Sequence, residues 1–121
     1  MTQDFRDLDV WKRAHLLVLE IYRCSGKLSE EEQEGIVADI RRSAVAVPAG
    51  IARSSGFVEE DDVRECLLGA QYSLTEVDLE LCVLRDLDRL PGADIDRIEK
   101  MAAEVRKALK KQISKLRVSS S

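Results

Sequence analysis

Residues 63–84 read VRECLLGAQYSLTEVDLELCVL. Within them Val63, Leu67, Ala70, Leu74, Val77, Leu81 and Leu84 recur at alternating intervals of four and three. That rhythm keeps one face of an α-helix apolar, the pattern of a seam between packed helices. Just upstream, Glu59-Glu60-Asp61-Asp62 places negative charge where a helix dipole favours it. A helix with such a seam draws its stability from burying it. The rest of the chain has to supply the partners.

Upstream, Ile36, Ile40, Ala44, Val47 and Ile51 continue in helical phase, and Ser29 with Glu32 has capping-box spacing. A second helix over 30–54 is expected, ending at Ser54-Ser55-Gly56. Before it, Trp11, Ala14, Val18 and Ile21 form one stripe, widened by Val10, Leu17 and Cys24, with Gly26 as the stop. That is a first helix over 8–24. Downstream of the third helix (59–88), Leu90-Pro91-Gly92 breaks the chain. Asp94 then caps a fourth helix over 94–117, with Ile95, Ile98, Ala102, Val105, Leu109, Gln112 and Leu116 as its seam. The last residues, 118–121, are expected to fray. Short connections make neighbours antiparallel. The expectation is a single domain over 1–121, all-α, an up-down-up-down antiparallel four-helix bundle. Its second and third helices are long, roughly 25 to 30 residues each by the extent of the pattern.

Composition agrees: 45% hydrophobic and 35% charged residues, only 4% aromatic, over 121 residues. No apolar run reaches membrane-span length, and the start MTQDFRDLD has no signal-peptide character. A cytoplasmic protein with no membrane partner follows as an expectation. Cys24, Cys66 and Cys82 are odd in number and far apart, so buried thiols are expected rather than disulfides or zinc ligands. The net charge of −4 argues against strong general nucleic-acid binding.

Pro48 sits inside the second helix. It has no N–H for the Ala44 carbonyl, which costs about 3 kcal/mol in a helix interior. The seam nevertheless keeps its phase beyond it, so the helix is expected to continue, kinked. Ser43, Ala44, Ala46, Ala49, Gly50 and Ala52 around it are all small. Either the bend wraps the helix around its own core or it shapes a face for another subunit, and the first reading is the simpler.

Motifs for chemistry are few. His15 is the only histidine, with Lys12 where a Glu-xx-His pattern needs its acid. HExxH, GxGxxG, P-loop and GxSxG patterns do not occur. No enzymatic activity and no cofactor are expected, and a polar Gln112 in the seam is thin support for a small-molecule site. Arg41 and Arg42 lie beside the small face, poised to pair with Glu76 or Asp78 of the third helix or to meet phosphates. Charge is segregated between the last two helices. Acids dominate 59–88, while Lys100, Arg106, Lys107, Lys110, Lys111 and Lys115 dominate the fourth helix. The bland explanation is dipole matching and helix–helix attraction; the functional one is an RNA or DNA track.

The segments FRDLDVWKRAHLLVLEIY, IRRSAVAVPAGIA and AQYSLTEVD resemble the four-helix-bundle family of 23S rRNA intervening-sequence proteins. That family includes the accessory variability protein of diversity-generating retroelements. The matching positions are Phe5, Leu8, Trp11, Ala14 and Tyr22; then Gly35, Ile40, Arg41, Arg42, Ala44, Val47, Pro48, Ile51 and Ala52; then Ala70, Ser73, Leu74 and Glu76. The chain departs from the pattern at Gly50, Arg53 and Tyr72 and in its acidity. The resemblance implies a homopentameric ring without catalysis. It also implies, for some relatives, nucleic-acid binding beside a reverse transcriptase. Under it, Ala44, Val47, Pro48, Gly50 and Ile51 become the expected subunit face. Arg41, Arg42, Arg53, Lys107, Lys110, Lys111 and Lys115 become the expected nucleic-acid contacts.

Overall fold

The computed structural model describes residues 4–117; the expected fraying at 118–121 lies outside them. A short 3-10 turn, Phe5–Asp7, precedes four helices: α1 (Asp9–Ser25), α2 (Ile36–Ser54), α3 (Glu60–Asp86) and α4 (Gly92–Ser114). No strand occurs among the described residues. Each helix packs on two others, α1 on α2 and α4, and α3 on α2 and α4. α1 and α3 are therefore diagonal, as are α2 and α4.

The core is the seam read from the sequence, with its centre shifted in α1. Leu67, Ala70, Leu74, Val77, Leu81 and Leu84 of α3 are buried. They face Ile40, Ala44, Val47 and Ile51 of α2 and Ile95, Ile98, Ala102, Val105 and Leu109 of α4. In α1 the buried stripe is Val10, Ala14, Leu17, Ile21 and Cys24, while Trp11 and Val18 sit at its edge. The α4 seam ends at Leu109; Gln112 and Leu116 are only half-buried.

α2 begins later than expected. The capping box does form: the Glu32 N–H donates to Ser29 Oγ at 3.2 Å, and the Ser29 N–H donates to Glu32 Oε1 at 3.2 Å. It closes only a turn, because Gly35 follows at φ +68°, ψ −121°, a conformation side chains avoid. Residues 29–35 also carry no apolar side chain and four glutamates, so nothing packs to hold a helix there. α2 is thus 19 residues long, about 28 Å, against 27 residues for α3. It runs unbroken through Pro48, which is buried.

The other ends also differ in detail. Asp94 is not the cap of α4: Pro91 is, and Asp94 lies in the first turn with its carboxylate 2.6 Å from Arg97. α4 ends at Ser114, not residue 117. α3 ends at Asp86 in a Schellman turn, with Asp88 at φ +52°, the Arg89 N–H donating to the Leu84 carbonyl and the Asp88 N–H to the Arg85 carbonyl. The cysteines are free, but only Cys24 is buried; Cys66 is half-buried and Cys82 exposed, because it points away from the seam.

Candidate subunit and nucleic-acid surfaces

The small face around the proline is turned inward. Ala44, Val47, Pro48, Gly50 and Ile51 are all buried within the single chain. Gly50 explains the run of small residues: a β-carbon there would lie 3.1 Å from the Cys66 carbonyl oxygen and 3.2 Å from Ala70 Cβ. The close approach that the sequence suggested for a second subunit is made to the chain's own α3, so these five residues offer no outward face.

Arg41 and Arg42 do not reach Glu76 or Asp78. Arg41 points toward α1, where its Nε donates to Ser25 Oγ at 2.8 Å and its Nη1 to Gln33 Oε1 at 3.0 Å. Its guanidinium also lies 4.6 Å from the Tyr22 ring centroid. Gln33 in turn donates to the Leu28 carbonyl at 2.7 Å. Arg41 thus fastens the 26–35 connection to the end of α1. Arg42 pairs with Asp39 one turn back on α2, at 2.5 Å. Asp78 is taken by Arg106 of α4, at 2.6 Å.

Lys107, Lys110, Lys111 and Lys115 are exposed, and none enters an ion pair among the described residues. Lys107 and Lys111 border a groove against α1, with Glu104 on their own helix and Asp9 and Arg13 across it. Lys110 borders another against α3, beside Tyr72 and Arg106. Arg53 is exposed at the C-terminal end of α2, in a hollow with Phe57, Asp62 and Glu65. Arg41 contacts the C-terminal end of α1, which also meets the second turn of α4 through Glu20 and Arg97. The arginine pair and the lysines therefore stand about 20 to 30 Å apart along the bundle. They do not form one track.

An ion-pair hub at the α1/α4 end was not singled out from the sequence. Glu20 receives Arg97 Nε at 2.7 Å and also bonds Arg23, and Arg97 reaches Asp94 and, at 3.5 Å, Cys24 Sγ. The Arg23 hydrogen bond, joined by that of Arg97, holds the Glu20 carboxyl down at about 2. Arg97 holds Asp94 below the usual carboxylate range, and burial raises the Cys24 thiol. The i,i+3 spacings Glu20/Arg23 and Asp94/Arg97 were the available signal. Glu80 sits between α3 and α2 with one carboxylate oxygen buried and unpaired, and burial raises its pKa. Among the described residues no group of three His, Cys, Asp or Glu side chains is placed to hold a metal, and no helix is long and apolar enough to cross a membrane.

The described surface also carries large apolar side chains in the open. Tyr72 and Leu79 on α3 are 75% and 64% exposed, and Leu16 and Leu19 on α1 are 55% and 50% exposed. Periodicity places them off the seams but gives no reason for them.

Comparison with known proteins agrees with this architecture. A crystal structure of a protein of unknown function from the S23 ribosomal protein family of Bacteroides thetaiotaomicron has the same fold. Its TM-score is 0.80 at 20% identity, covering 87% of this chain and 95% of that one. No curated protein matches the chain. The family model of the 23S rRNA-intervening sequence protein matches residues 6–111, nearly the whole length. The chain belongs to the 23S rRNA-intervening sequence protein family.

Proposed function

We propose that the chain is a non-enzymatic structural module, an up-down-up-down bundle bent at Pro48, that assembles with copies of itself, as a five-membered ring, in the cytoplasm. The observation that carries this is Tyr72, Leu79, Leu16 and Leu19, exposed on a bundle whose seams are already filled. They form two separate pairs, Tyr72 with Leu79 on α3 and Leu16 with Leu19 on the diagonal α1, and an apolar pair left in the open on a filled bundle is the kind of surface a contact uses. The ring presents a repeated surface to a further partner. The test is solution mass by light scattering together with native mass spectrometry. Five times the chain mass supports the reading, and a monomer at micromolar concentration removes it.

A second reading has one observation in its favour: Lys107, Lys110, Lys111 and Lys115 are exposed and unpaired among the described residues. In it the protein is an accessory that binds RNA or DNA, beside a reverse transcriptase, with Arg53 near the lysine end and Arg41 and Arg42 at the other. Binding to a mixed RNA and DNA pool is measured at low and moderate salt. Salt-sensitive binding lost in a Lys107→Glu/Lys110→Glu/Lys111→Glu variant supports it; no binding at low salt removes it.

A further inference from the structure

We infer that Glu80 is a proton-operated latch between α2 and α3: neutral, its carboxyl lies closed against the N-terminal half of α2; ionised, it is driven out toward water and that half of α2 loosens. The latch acts within one chain and does not depend on assembly.

A spacing of seven puts Glu80 on the same flank of α3 as Cys66 and Ser73. That flank runs close to α2, since a β-carbon on Gly50 would lie 3.1 Å from the Cys66 carbonyl oxygen. Cys66 and Ser73 suit so near an approach because they are small. Glu80 is the long, charged member of the row, and it meets α2 at Ser43, a small buried residue. Its Oε1 is buried there without a hydrogen-bond partner. A carboxylate oxygen in that state costs free energy that an uncharged one largely avoids. Glu80 as a whole is half-buried, at the edge of the seam, so an ionised carboxylate has solvent within its reach.

No neighbour cancels the charge. The charged groups facing Glu80 are Asp39 and Arg42 from α2 and Glu76 from one turn back on α3, so the acids outnumber the base. Arg42 is committed to Asp39 and is largely exposed. The Ser43 hydroxyl eases the ionised form but brings no charge. Burial first, and then the two acids, push the carboxyl above its ordinary range. Such a group costs stability when ionised: nothing well below 4.5, and the full amount above its titration point in the folded chain. Falling pH therefore closes the latch, whereas it strips away the contribution of Glu20.

The test uses the full chain. Carboxyl-carbon NMR follows the titration of Glu80, its signal assigned by its loss in Glu80→Gln. Urea unfolding of the wild type and Glu80→Gln is measured from pH 4 to pH 8. Amide exchange of residues 37–44 relative to α4, corrected for intrinsic rates, is followed in both. Glu80 is expected to titrate above 4.5. Between pH 4 and pH 8, Glu80→Gln then gains on the wild type about a factor of ten in folding constant for each pH unit of that rise. Protection of residues 37–44 falls over the same range in the wild type and not in the variant. Titration at or below 4.5 overturns the latch, and it is read on the wild type whether or not the variant folds. A stability difference that stays constant with pH reduces Glu80 to a packing residue and overturns the latch, as does exchange with the same pH dependence in both chains.

Discussion

Gly50 of α2 lies so close to Ala70 of α3 that a β-carbon on it would stand 3.2 Å from Ala70 Cβ, with the Cys66 carbonyl oxygen at 3.1 Å. A backbone oxygen cannot swing aside as a side chain does. Gly50→Val therefore forces α2 and α3 apart and is expected to cost about 2–3 kcal/mol. Gly69 is the control: it is helical, and nothing lies within 4 Å of a β-carbon there. Gly69→Ala is expected to gain about 0.5–1 kcal/mol from helix propensity alone. Urea denaturation of the two variants checks both signs.

Glu20 gives the acid limb of stability. Its carboxyl titrates at about 2 in the folded chain against 4.5 ordinarily, held down first by Arg23 and then by Arg97. A depressed carboxylate contributes stability that is complete above pH 4.5 and is lost as the pH falls toward 2. Glu20→Gln is expected to lose about 1–2 kcal/mol at pH 7. Its unfolding curve should converge on that of the wild type near pH 2, as read by thermal melts across the range.

Arg41 holds the 26–35 connection through Ser25, Gln33 and the Tyr22 ring. Arg41→Ala removes all three contacts and is expected to cost about 1–2 kcal/mol. It should also speed amide exchange in residues 27–34 more than elsewhere. Arg41→Lys keeps the charge but not the planar fork, so it restores less than half of the loss.

Asp88 occupies a left-handed position at φ +52° in the turn after α3. Asp88→Gly relieves that conformation without touching the Schellman hydrogen bonds, which are made by the backbone. A gain of about 0.5–1 kcal/mol is expected, measured by denaturant midpoint at unchanged m-value.

The α3 seam was legible because a rhythm of four and three admits one buried face, and every seam residue from Leu67 to Leu84 is buried. α2 was read too long because a capping box satisfies local donors wherever it forms, whereas a helix needs something to bury, and residues 29–35 offer nothing. Trp11 was placed in the central stripe by its spacing to Ala14, Val18 and Ile21, yet it packs at the edge of the core beside His15, their rings stacked at 4.8 Å. The small residues around Pro48 were visible as a close-approach surface. Spacing cannot say whether the approaching backbone is intramolecular, and here it is α3. Arg41 was misassigned for a related reason: helical phase gives its direction only to within a quadrant, and its partners come from a loop and from α1.

Cys82 stands on the open side of α3, three residues from Leu79. In air, sulfhydryls so placed on two molecules oxidise to a covalent bridge, and the resulting doublet imitates genuine association on a sizing column. Weighing this protein therefore calls for a reductant in the buffer, or a Cys82→Ser chain, before any count of its copies is believed.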